Sequence, residues 1–574
     1  MISRREFLQY YSGLEFEDNP FAYTNADEED RLPEYFVSPP YFESVFGDPK
    51  KPNSFIVFAP RGGGKTAQRR MIELRSADNN ILAITYNNFD FPDISKPHDV
   101  KIHHHLRRII RFILTGLLAN IHSNLPSEKL LSKDDKQIFL KLAAEHLGDI
   151  KSADLTIALD SLKSFKDKFK DFWNEWIPTI GLGVQAVLKL LKPIQDLGDN
   201  ISNLTRFQDP EFRAPDSLKF QLQLLVSLSQ KLGWKSIYIL VDRVDETSTT
   251  GGNNAKDSFV LLEPLLRDLS ILEFPGIAFK FFLWDQMQPL CKDVVRTDRI
   301  KQEGLDWDDQ MLTDMWEKRL STYSGKKIKR LATISDSLIP YSIDELCLVF
   351  SNHSPRDLIR VGDQILAEQQ EIDPNSTRLT EPAIYKAIDK FCSKRSTELI
   401  KKERVLNELR KTRQVDFTIP YLANQVFREQ QSSTRNRLLM WRAENAIVDV
   451  ERIEDRSSKQ ESKVKLFAIK DIRIAKAIYP ELSVPQFLSE KYKKCSRCNA
   501  SVLRDWGESA SSSICQDCQY DLLSEQDDFD IWKRKDIATA RRRRYREESL
   551  DEQAIQLSFL DAVTENNKTR EEEI

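Results

Sequence analysis

The sequence predicts a mixed α/β fold, in which helices flank a parallel sheet, and three apolar segments lead to that prediction. Residues 55–58, 236–241 and 277–283 are nearly continuous in apolar side chains. Continuous apolar runs, unlike alternating ones, are typical of strands that are buried on both faces of a parallel sheet. Glycines follow the first run, Asp242 directly follows the second, and Asp285 comes one residue after the third. Because open α/β sheets bind ligands at the carboxyl ends of their strands, these polar residues mark a candidate site.

The length and composition indicate a folded chain of several domains. The 574 residues exceed what one hydrophobic core usually serves, and 40% hydrophobic with 30% charged residues is ordinary for a globular protein. The formal net charge of −4 argues against a nucleic-acid footprint over the whole surface, although it leaves room for a local basic patch.

Neither a secretory signal nor a membrane span is expected. The chain opens with a mixed acidic and aromatic stretch rather than an apolar run. The most apolar segment, residues 177–194, is interrupted by two prolines and two lysines, so an amphipathic helix is the preferred interpretation and a membrane-surface role is the alternative. Seven cysteines, four of them in CxxC pairs, suit a reducing compartment, and we expect a cytoplasmic location.

The segment after the first run has the order of residues that a phosphate-binding loop requires. Three successive glycines let backbone N–H groups turn toward phosphate oxygens, Lys65 can reach the β- and γ-phosphates, and the Thr66 hydroxyl can coordinate Mg²⁺. Ala59 replaces the first glycine of the GxxxxGK[ST] pattern. The sequence thus predicts a P-loop NTPase core, with a chance glycine-rich loop as the alternative. The residues expected at the nucleotide are Pro60, Arg61, Gly62, Gly63, Gly64, Lys65, Thr66 and Ala67.

The second run delivers a carboxylate to the same predicted edge. Asp242 follows five apolar residues, and we assign it to the magnesium shell; a surface strand end with solvated acids is the alternative. Asp245 and Glu246 come three and four residues later. One of these two is expected to polarise the attacking water, and the spacing does not decide which.

These motifs resemble those of a known family. The glycine-lysine-threonine loop and the DxxDE ending at 242–246 are similar to those of bacterial P-loop ATPases of the AAA+ and STAND classes, including those similar to origin-recognition initiators, over residues 15–390. The resemblance implies ATP and Mg²⁺ binding, coupling through a helical lid and homo-oligomerisation. Slow hydrolysis is expected because it suits a switch rather than a motor. Arg243 departs from the commonest AAA+ pattern, which has glutamate directly after the magnesium aspartate.

The resemblance also implies roles for residues downstream of the acidic strand. Asp285 stands where a polar sensor is found, and Arg296 and Arg299 stand where an arginine reaches a neighbour's nucleotide. Surface ion pairs with Asp293 or Asp298 are the alternative for both arginines. Arg356 follows Ser354 and Pro355, which suit a helix start, and is the predicted lid sensor of the γ-phosphate.

Two further stretches of the sequence have predicted roles. Asn19 and Phe21, with residues 35–37, occupy the stretch that wraps the adenine in related ATPases. Residues 100–215 have helical apolar spacing and are predicted to be an insertion that carries partner contacts or is purely structural. The three histidines at 103–105 are interpreted as a solvated helix start rather than as metal ligands, since adjacent helical residues point in different directions.

The region after the lid has the outline of a winged-helix domain. Helices are predicted at 403–409, 418–427 and 431–441, followed by strands at 446–453 and 463–469. Arg435, Arg437 and Arg442 are candidate contacts to DNA or RNA. Many acidic residues share this region, so binding to a protein is the equal alternative.

Four cysteines predict a zinc ribbon beyond the winged-helix region. The two CxxC pairs are separated by sixteen residues, a spacing typical of a four-thiolate zinc site, and four thiolates leave no open position for catalysis. Unpaired redox cysteines are the alternative. Basic runs at 533–535 and 541–546 precede an acidic tail and are either a solvated helix face or a contact to nucleic acid or an acidic partner. The predicted zinc ligands are Cys495, Cys498, Cys515 and Cys518.

The functional hypothesis is an ATP-driven regulatory switch that acts with nucleic acid or with a partner effector. A nuclease or toxin subunit as effector, and a role in antiphage defence, rest on family analogy alone. The alternative is a STAND-like signalling scaffold that binds protein partners without nucleic acid. The predicted domains are an N-terminal adenine-side segment (1–50), the ATPase core (51–310), the helical lid (311–395), the winged-helix-like domain (396–482), the zinc ribbon (483–525) and a basic helix with an acidic tail (526–574).

Overall fold

The structure is a computed structural model that describes residues 10–91, 94–123, 130–148, 150–162, 165, 215–250, 254–454, 463–506 and 512–523. The predicted amphipathic segment at 177–194, the basic runs at 533–546 and the acidic tail lie outside the described residues. The chain divides into two compact units, of which the first comprises residues 1–413 with 471–488 and the second 414–470 with 489–574.

The first unit is built on a parallel sheet of five strands, as predicted. Its spatial order is β2-β3-β4-β1-β5, and all the pairings are parallel. The three apolar runs become β1, β3 and β4, whose residues are all buried, because helices cover both faces of the sheet. The strands are β1 (Phe55–Ala59), β2 (Ile81–Tyr86), β3 (Ser236–Val241), β4 (Ile277–Trp284) and β5 (Lys301–Gly304).

The order of the strands brings the polar segments of the sequence to one edge of the sheet. Strand β4 lies between β1 and β3, and its last residue, Trp284, is paired with Ala59 at the end of β1. The glycine loop, Asp242 and Asp285 therefore all leave the sheet at its carboxyl edge. This is the edge at which open α/β sheets bind their ligands.

Helices surround this sheet throughout the described part of the first unit. Those preceding β3 include three that lie within the predicted insertion at 100–215. No helix in the described residues is long and apolar enough to cross a bilayer. The helices are α1 (Leu32–Tyr35), α2 (Phe42–Phe46), α3 (Lys65–Asp78), α4 (Ile102–Ser123), α5 (Lys133–Leu147), α6 (Ser152–Asp160), α7 (Pro215–Lys231), α8 (Ala255–Leu266), α9 (Leu269–Leu272), α10 (Gln288–Cys291), α11 (Asp309–Tyr323), α12 (Ile343–Ser351), α13 (Pro355–Ile372), α14 (Glu381–Leu399) and α15 (Glu403–Thr412).

The described part of the insertion is helical, as predicted, and α4 belongs to the core of the first unit. Gly116 of α4 lies so close to the sheet that a Cβ atom there would stand 3.2 Å from Leu82 of β2. The interpretation of the histidines as a solvated helix start is wrong for His105. This side chain is fully buried, hydrogen-bonded to the Tyr86 hydroxyl at 2.7 Å and to the Leu261 carbonyl at 3.0 Å. Burial lowers the pKa of His105 to about 4, so the ring is a neutral core group.

The helix that carries Arg356 starts as its sequence predicts. The Ser354 hydroxyl accepts the Asp357 backbone N–H at 3.2 Å, and Pro355 occupies the first turn of α13. Such a cap satisfies one of the free N–H groups at a helix start. It fixes the first turn, and with it the position of Arg356.

The second unit contains a small antiparallel sheet of order β6-β8-β7 and a hairpin of β9 with β10. The predicted strands at 446–453 and 463–469 are confirmed as the antiparallel pair β7 and β8. The predicted helix at 403–409 is confirmed as α15, which lies in the first unit, so the winged-helix interpretation stays a prediction. The elements are β6 (Asp416–Thr418), α16 (Ile419–Tyr421), a π-helical turn (Leu422–Phe427), α17 (Gln431–Ala443), β7 (Ile447–Glu454), β8 (Lys463–Ile469), β9 (Tyr492–Lys494) and β10 (Ser501–Leu503), with α18 (Ile472–Ile478) and most of α19 (Val484–Lys491) in the first unit.

Candidate functional site

The glycine loop turns tightly between β1 and α3. Gly62 and Gly64 have φ values of +79° and +90°, a backbone conformation that side chains with a Cβ atom rarely adopt. The Lys65 ammonium donates to the carbonyl oxygens of Ala59 at 2.9 Å and Pro60 at 3.1 Å. Burial lowers the pKa of Lys65, and nearby carboxylates, Asp245 foremost, oppose that shift. The loop therefore places the Lys65 side chain at the N-terminus of α3. The lysine charge and the helix N-terminus together favour the binding of an anion.

The predicted magnesium ligands lie in contact with each other. The Thr66 hydroxyl donates to Asp242 Oδ2 at 3.0 Å, and the Arg243 backbone N–H donates to Asp242 Oδ1 at 3.0 Å. Asp242 is 1% exposed. A hydroxyl and a carboxylate that meet beside a phosphate loop are the hard oxygen donors that Mg²⁺ prefers. The residues present therefore fit a magnesium ion.

The two remaining acids of the DxxDE ending have different surroundings. Both lie in a short 3₁₀ turn, Val244–Glu246. Asp245 is buried and accepts from Arg61 Nε at 2.8 Å, while the Arg61 guanidinium stacks on Trp284 at 4.5 Å. The Glu246 side chain is 56% exposed. Asp245 is thus linked to the phosphate loop and Glu246 is more exposed, while both acids line the same cleft.

A cleft that is partly open to solvent lies over these residues. It is lined by six parts of the chain that are distant in sequence: the N-terminal segment, the phosphate loop, the residues after β3, the residues after β5, α11 and the start of α13. Small-molecule sites are typically concave and mostly apolar with a few convergent polar groups, and this cleft has that character. Of the predicted loop residues, Pro60, Arg61, Gly62, Gly64, Lys65, Thr66 and Ala67 line it.

The N-terminal segment lines the cleft, but not through Asn19 and Phe21, the two residues predicted to contact the nucleotide. Asn19 is bonded to Asp363 at 3.1 Å, and the buried Phe21 ring stacks on Trp316 with centroids 4.8 Å apart. Neither Asn19 nor Phe21 is among the residues that line the cleft, which corrects that expectation. The two side chains instead hold the segment on α11 and α13. The apolar wall that the segment does provide consists of Tyr23, Leu32, Tyr35, Phe36, Val37 and Pro39.

Arg356 reaches the cleft from the first turn of α13. Its Cβ lies 3.1 Å from the position that a Cβ on Gly62 would take, so the helix start packs directly on the phosphate loop. Arg356 is exposed, and it has no ion-pair partner among the described residues. It offers an uncompensated positive charge to the cleft, in addition to Lys65.

The other residues assigned by resemblance lie outside the cleft lining. Arg296 and Arg299 are exposed and pair with Asp298 at 2.7 Å and with Glu273 at 2.7 Å. Asp285 accepts the backbone N–H of the next residue at 2.8 Å. The surface ion pair that was the alternative for Arg296 is present, and a role in trans for either arginine stays a prediction.

Three residues at the site were not found from the sequence. Arg69 is buried one turn after Thr66 and donates to Asp242 Oδ2 at 3.0 Å. Asp27 pairs with both Arg69 and Arg243. The Trp307 indole donates to the Gly63 carbonyl at 2.8 Å and so fixes the loop from the side of β5. Only Arg69 had a signal in the sequence, because helical spacing puts it on the same side of α3 as Thr66.

The four cysteines of the second unit converge on one point. Their Sγ atoms all lie within 4.8 Å of one another, and the pairs Cys495–Cys518 and Cys498–Cys515 are 3.6 Å apart. Four sulfurs around one zinc ion with Zn–S bonds of about 2.3 Å would lie about 3.8 Å apart, so the cluster fits zinc.

The two halves of the cluster are built alike. The backbone N–H of Asn499 donates to the Cys495 carbonyl at 2.9 Å, and that of Gln519 donates to the Cys515 carbonyl at 3.0 Å. Asn499 and Gln519 both have positive φ, +62° and +59°. This repeated turn is what aims two sulfurs of each CxxC pair at a common point.

The arginines of α17 are largely neutralised within the second unit. Arg437 pairs with Glu429 at 2.8 Å and stacks on Phe427, and Arg442 pairs with Asp449. Arg435 is exposed. Of the three arginines predicted to contact nucleic acid, Arg435 is thus the one that has no ion pair among the described residues.

The parallel sheet, the glycine loop after β1 and the aspartate after β3 place the first unit among P-loop α/β folds. No protein-family model matches the sequence, and no curated protein does. A solved structure to which the chain is similar is that of the Aeropyrum pernix ORC2 protein in ADPNP and ADP complexes, with 10% identity, a TM-score of 0.34, and coverage of 79% of this chain and 98% of that chain. At this TM-score the likeness is partial, and the fold assignment rests on the sheet and the loop themselves.

Proposed function

We propose that the protein binds ATP with Mg²⁺ in the cleft of the first unit and hydrolyses it slowly, as a regulatory switch of AAA+ or STAND type. The observation that carries the proposal is the contact between Thr66 and Asp242 at 3.0 Å beside the Lys65 ammonium. Lys65 and Arg356 supply positive charge where the phosphates would lie. The wall formed by the N-terminal segment offers apolar surface to a base.

The proposal assigns a part of the switch to each wall of the cleft. A triphosphate would add negative charge between the phosphate loop and Arg356, which has no described ion-pair partner, and would draw α13 toward the loop. Since Asp357, the next residue of α13, is bonded to Arg395 of α14 at 3.1 Å, movement of α13 would be passed to α14. Coupling of this kind is what a nucleotide-dependent switch requires.

We propose further that the cysteine cluster holds one structural zinc ion. The four Sγ positions support this, because they already form a closed four-sulfur set. With no open position left, the ion would stabilise the fold of the hairpin region rather than take part in a reaction.

Nucleotide binding is tested by substituting Lys65. Lys65→Ala should abolish the rise in thermal stability that Mg-ATP gives the wild-type protein, because binding to the native state alone is what raises stability. Lys292→Ala, which removes an exposed lysine away from the cleft lining, is the matched control and should leave the rise unchanged. A full rise in the Lys65→Ala protein would count against the site.

A second candidate function is a scaffold whose C-terminal part binds protein rather than nucleic acid. The pairing of Arg437 and Arg442 with acidic neighbours favours it, since paired arginines have less charge to offer to phosphates. ATPase activity measured with and without duplex DNA over a range of salt separates the two functions. DNA stimulation that falls steeply with salt supports the nucleic-acid function, and ATP-dependent oligomerisation indifferent to DNA supports the scaffold. The effector partner, the homo-oligomer and the antiphage role stay predictions.

A further inference from the structure

The carboxylate assigned to magnesium is held by an arginine that no part of the P-loop motif includes. Arg69 is 2% exposed, and its Nε donates to Asp242 Oδ2, the same oxygen that accepts the Thr66 hydroxyl. With Arg243 N–H on Oδ1, the carboxylate has a hydrogen bond on each oxygen. Its orientation is therefore set before any ligand arrives.

The guanidinium of Arg69 is itself fixed on its other nitrogens. Nη1 donates to Glu73 and to the Thr85 hydroxyl at 3.2 Å, and Nη2 donates to Asp27. Asp27 belongs to the N-terminal segment and also accepts from Arg243 at 2.7 Å. Burying a charged guanidinium costs a large desolvation free energy. That cost is compensated only when the N–H donors of the guanidinium are all hydrogen-bonded. Through these hydrogen bonds, Arg69 connects Asp242, the assigned magnesium ligand, to the N-terminal segment that lines the cleft.

We propose that Arg69 is a positioning residue. It keeps Asp242 oriented as the hydrogen-bond acceptor of the Thr66 hydroxyl, and its positive charge weakens the attraction of Asp242 for the metal ion. This rests on the proposed function, because it concerns the magnesium site of the same cleft. The Thr66 hydrogen atom points at Asp242, so the lone pairs of its oxygen are left for the ion. At the same time, the positive charge of Arg69 opposes a divalent cation nearby. The site would then take up magnesium with its nucleotide rather than alone.

The proposal predicts effects of opposite sign on metal affinity and on hydrolysis. In Arg69→Gln the opposing charge is gone, so the Mg²⁺ concentration that gives half-maximal binding of a fluorescent ADP analogue should fall by about tenfold. Hydrolysis at saturating Mg²⁺ should fall too, because Asp242 is no longer oriented. A purely structural role for Arg69 would instead weaken metal binding and hydrolysis together.

Three further variants complete the test. Arg69→Lys keeps the charge and should leave the Mg²⁺ midpoint within about threefold of wild type while hydrolysis falls. Asp27→Asn, on a side chain that is 29% exposed, removes a counter-charge and should raise the midpoint. Arg70→Gln is the matched control, because Arg70 also pairs with Glu73 but contacts neither Asp242 nor Asp27.

The outcomes separate this inference from the function on which it rests. If the wild-type protein binds no nucleotide analogue at any Mg²⁺ concentration, the proposed function itself fails. If it binds and Arg69→Gln has an unchanged or raised Mg²⁺ midpoint, the role of Arg69 is overturned and the nucleotide site stands. Should Arg69→Gln not fold, a lowered or unchanged midpoint in Asp27→Asn overturns the role, and a raised midpoint supports it.

Discussion

The two sites of this molecule differ in how far apart along the chain their parts lie. The cysteine cluster is made from two short turns separated by sixteen residues, and each turn is closed by its own backbone hydrogen bonds. The cleft is made from six parts of the chain between Tyr23 and Ile359, which only the folded sheet brings together. A site of the first kind can be read from residue spacing. A site of the second kind depends in addition on long-range polar contacts, such as that of Arg69 with Asp27, that no local pattern contains.

Because the two sites are built from different parts of the chain, we expect that the cysteine cluster can be destroyed without affecting the cleft. The resulting loss of stability in the hairpin region is the largest effect we expect. Cys498→Ser should remove the zinc ion and unfold the hairpin region, because structural zinc contributes about 10–16 kcal/mol of apparent stability to small modules. Metal analysis should find one zinc per wild-type chain and none in the variant. Thermal stabilisation by Mg-ATP should remain.

Asp517→Asn is the matched control for the cysteine substitution. It changes a residue inside the second CxxC turn that contributes no sulfur, and zinc should stay bound. Absence of zinc from the purified wild-type protein would remove the structural-metal proposal. Loss of Mg-ATP stabilisation in Cys498→Ser would show that the two sites are not independent.

A substitution of Arg319, which does not itself line the cleft, should weaken nucleotide binding there. This fully buried side chain bonds Glu29 at 2.7 Å and the Tyr23 carbonyl at 3.1 Å, and it stacks on Tyr35, so it holds the N-terminal wall on α11. Arg319→Met leaves a buried carboxylate without its main partner, which should lower the free energy of unfolding of the first unit by about 3–5 kcal/mol. Urea unfolding measures the loss, and nucleotide affinity should fall with it.

A surface arginine provides the control for that experiment. Arg330 is 63% exposed and pairs with Glu317, so Arg330→Met should change stability by no more than about 1 kcal/mol. Zinc content should be unchanged in both variants. Equal effects of the two substitutions would mean that the N-terminal wall does not depend on its buried ion pair.

The features that could be predicted from the sequence are those built from residues that are close together along the chain. The three apolar runs, the phosphate loop, the helix cap at Ser354 and the four-cysteine cluster were predicted, because each depends on neighbours within a few residues. Arg69 and Asp27 were missed, since nothing in the sequence indicates that residues 42 positions apart form an ion pair. Phe21 was misplaced for a related reason. An aromatic residue near a predicted site suits a base-binding wall and a core stack equally, and only the position of Trp316 decides between them.

The second unit should respond to pH through a pair of carboxyl groups near the cysteine cluster. Asp416 of β6 lies against Asp505, and burial with this like charge raises the pKa of Asp416 to about 7, an effect that Arg504 partly opposes. The folded unit therefore keeps a proton that the unfolded chain releases near its ordinary pKa of about 3.9. Because the native state binds more protons, stability should fall as pH rises from about 4 to about 7, by about 2–4 kcal/mol in total.

Asp416→Asn should remove that pH dependence. Urea-dependent proteolysis at about pH 6 and about pH 8, with fragments of residues 414–454 identified by mass spectrometry, compares the second unit in the two proteins. The wild-type unit should be less stable at the higher pH, and the variant should be equally stable at both. A wild-type unit that gains stability above pH 6 would contradict a raised pKa at Asp416.

The smallest expected effect concerns the start of α13, where a local feature supports the long-range site. Ser354→Ala removes the cap from the helix that presents Arg356, and the loss of such a cap costs about 1 kcal/mol. If Arg356 contacts the γ-phosphate, fraying of this turn should weaken ATP binding more than ADP binding, because only ATP reaches that far. Ser342→Ala, which removes the corresponding cap from α12 outside the cleft lining, should cost similar stability and leave the ratio of the two affinities unchanged. Equal loss of ATP and ADP affinity in Ser354→Ala would place Arg356 beside the cleft as a structural residue, and the coupling through α13 would need another contact to the nucleotide.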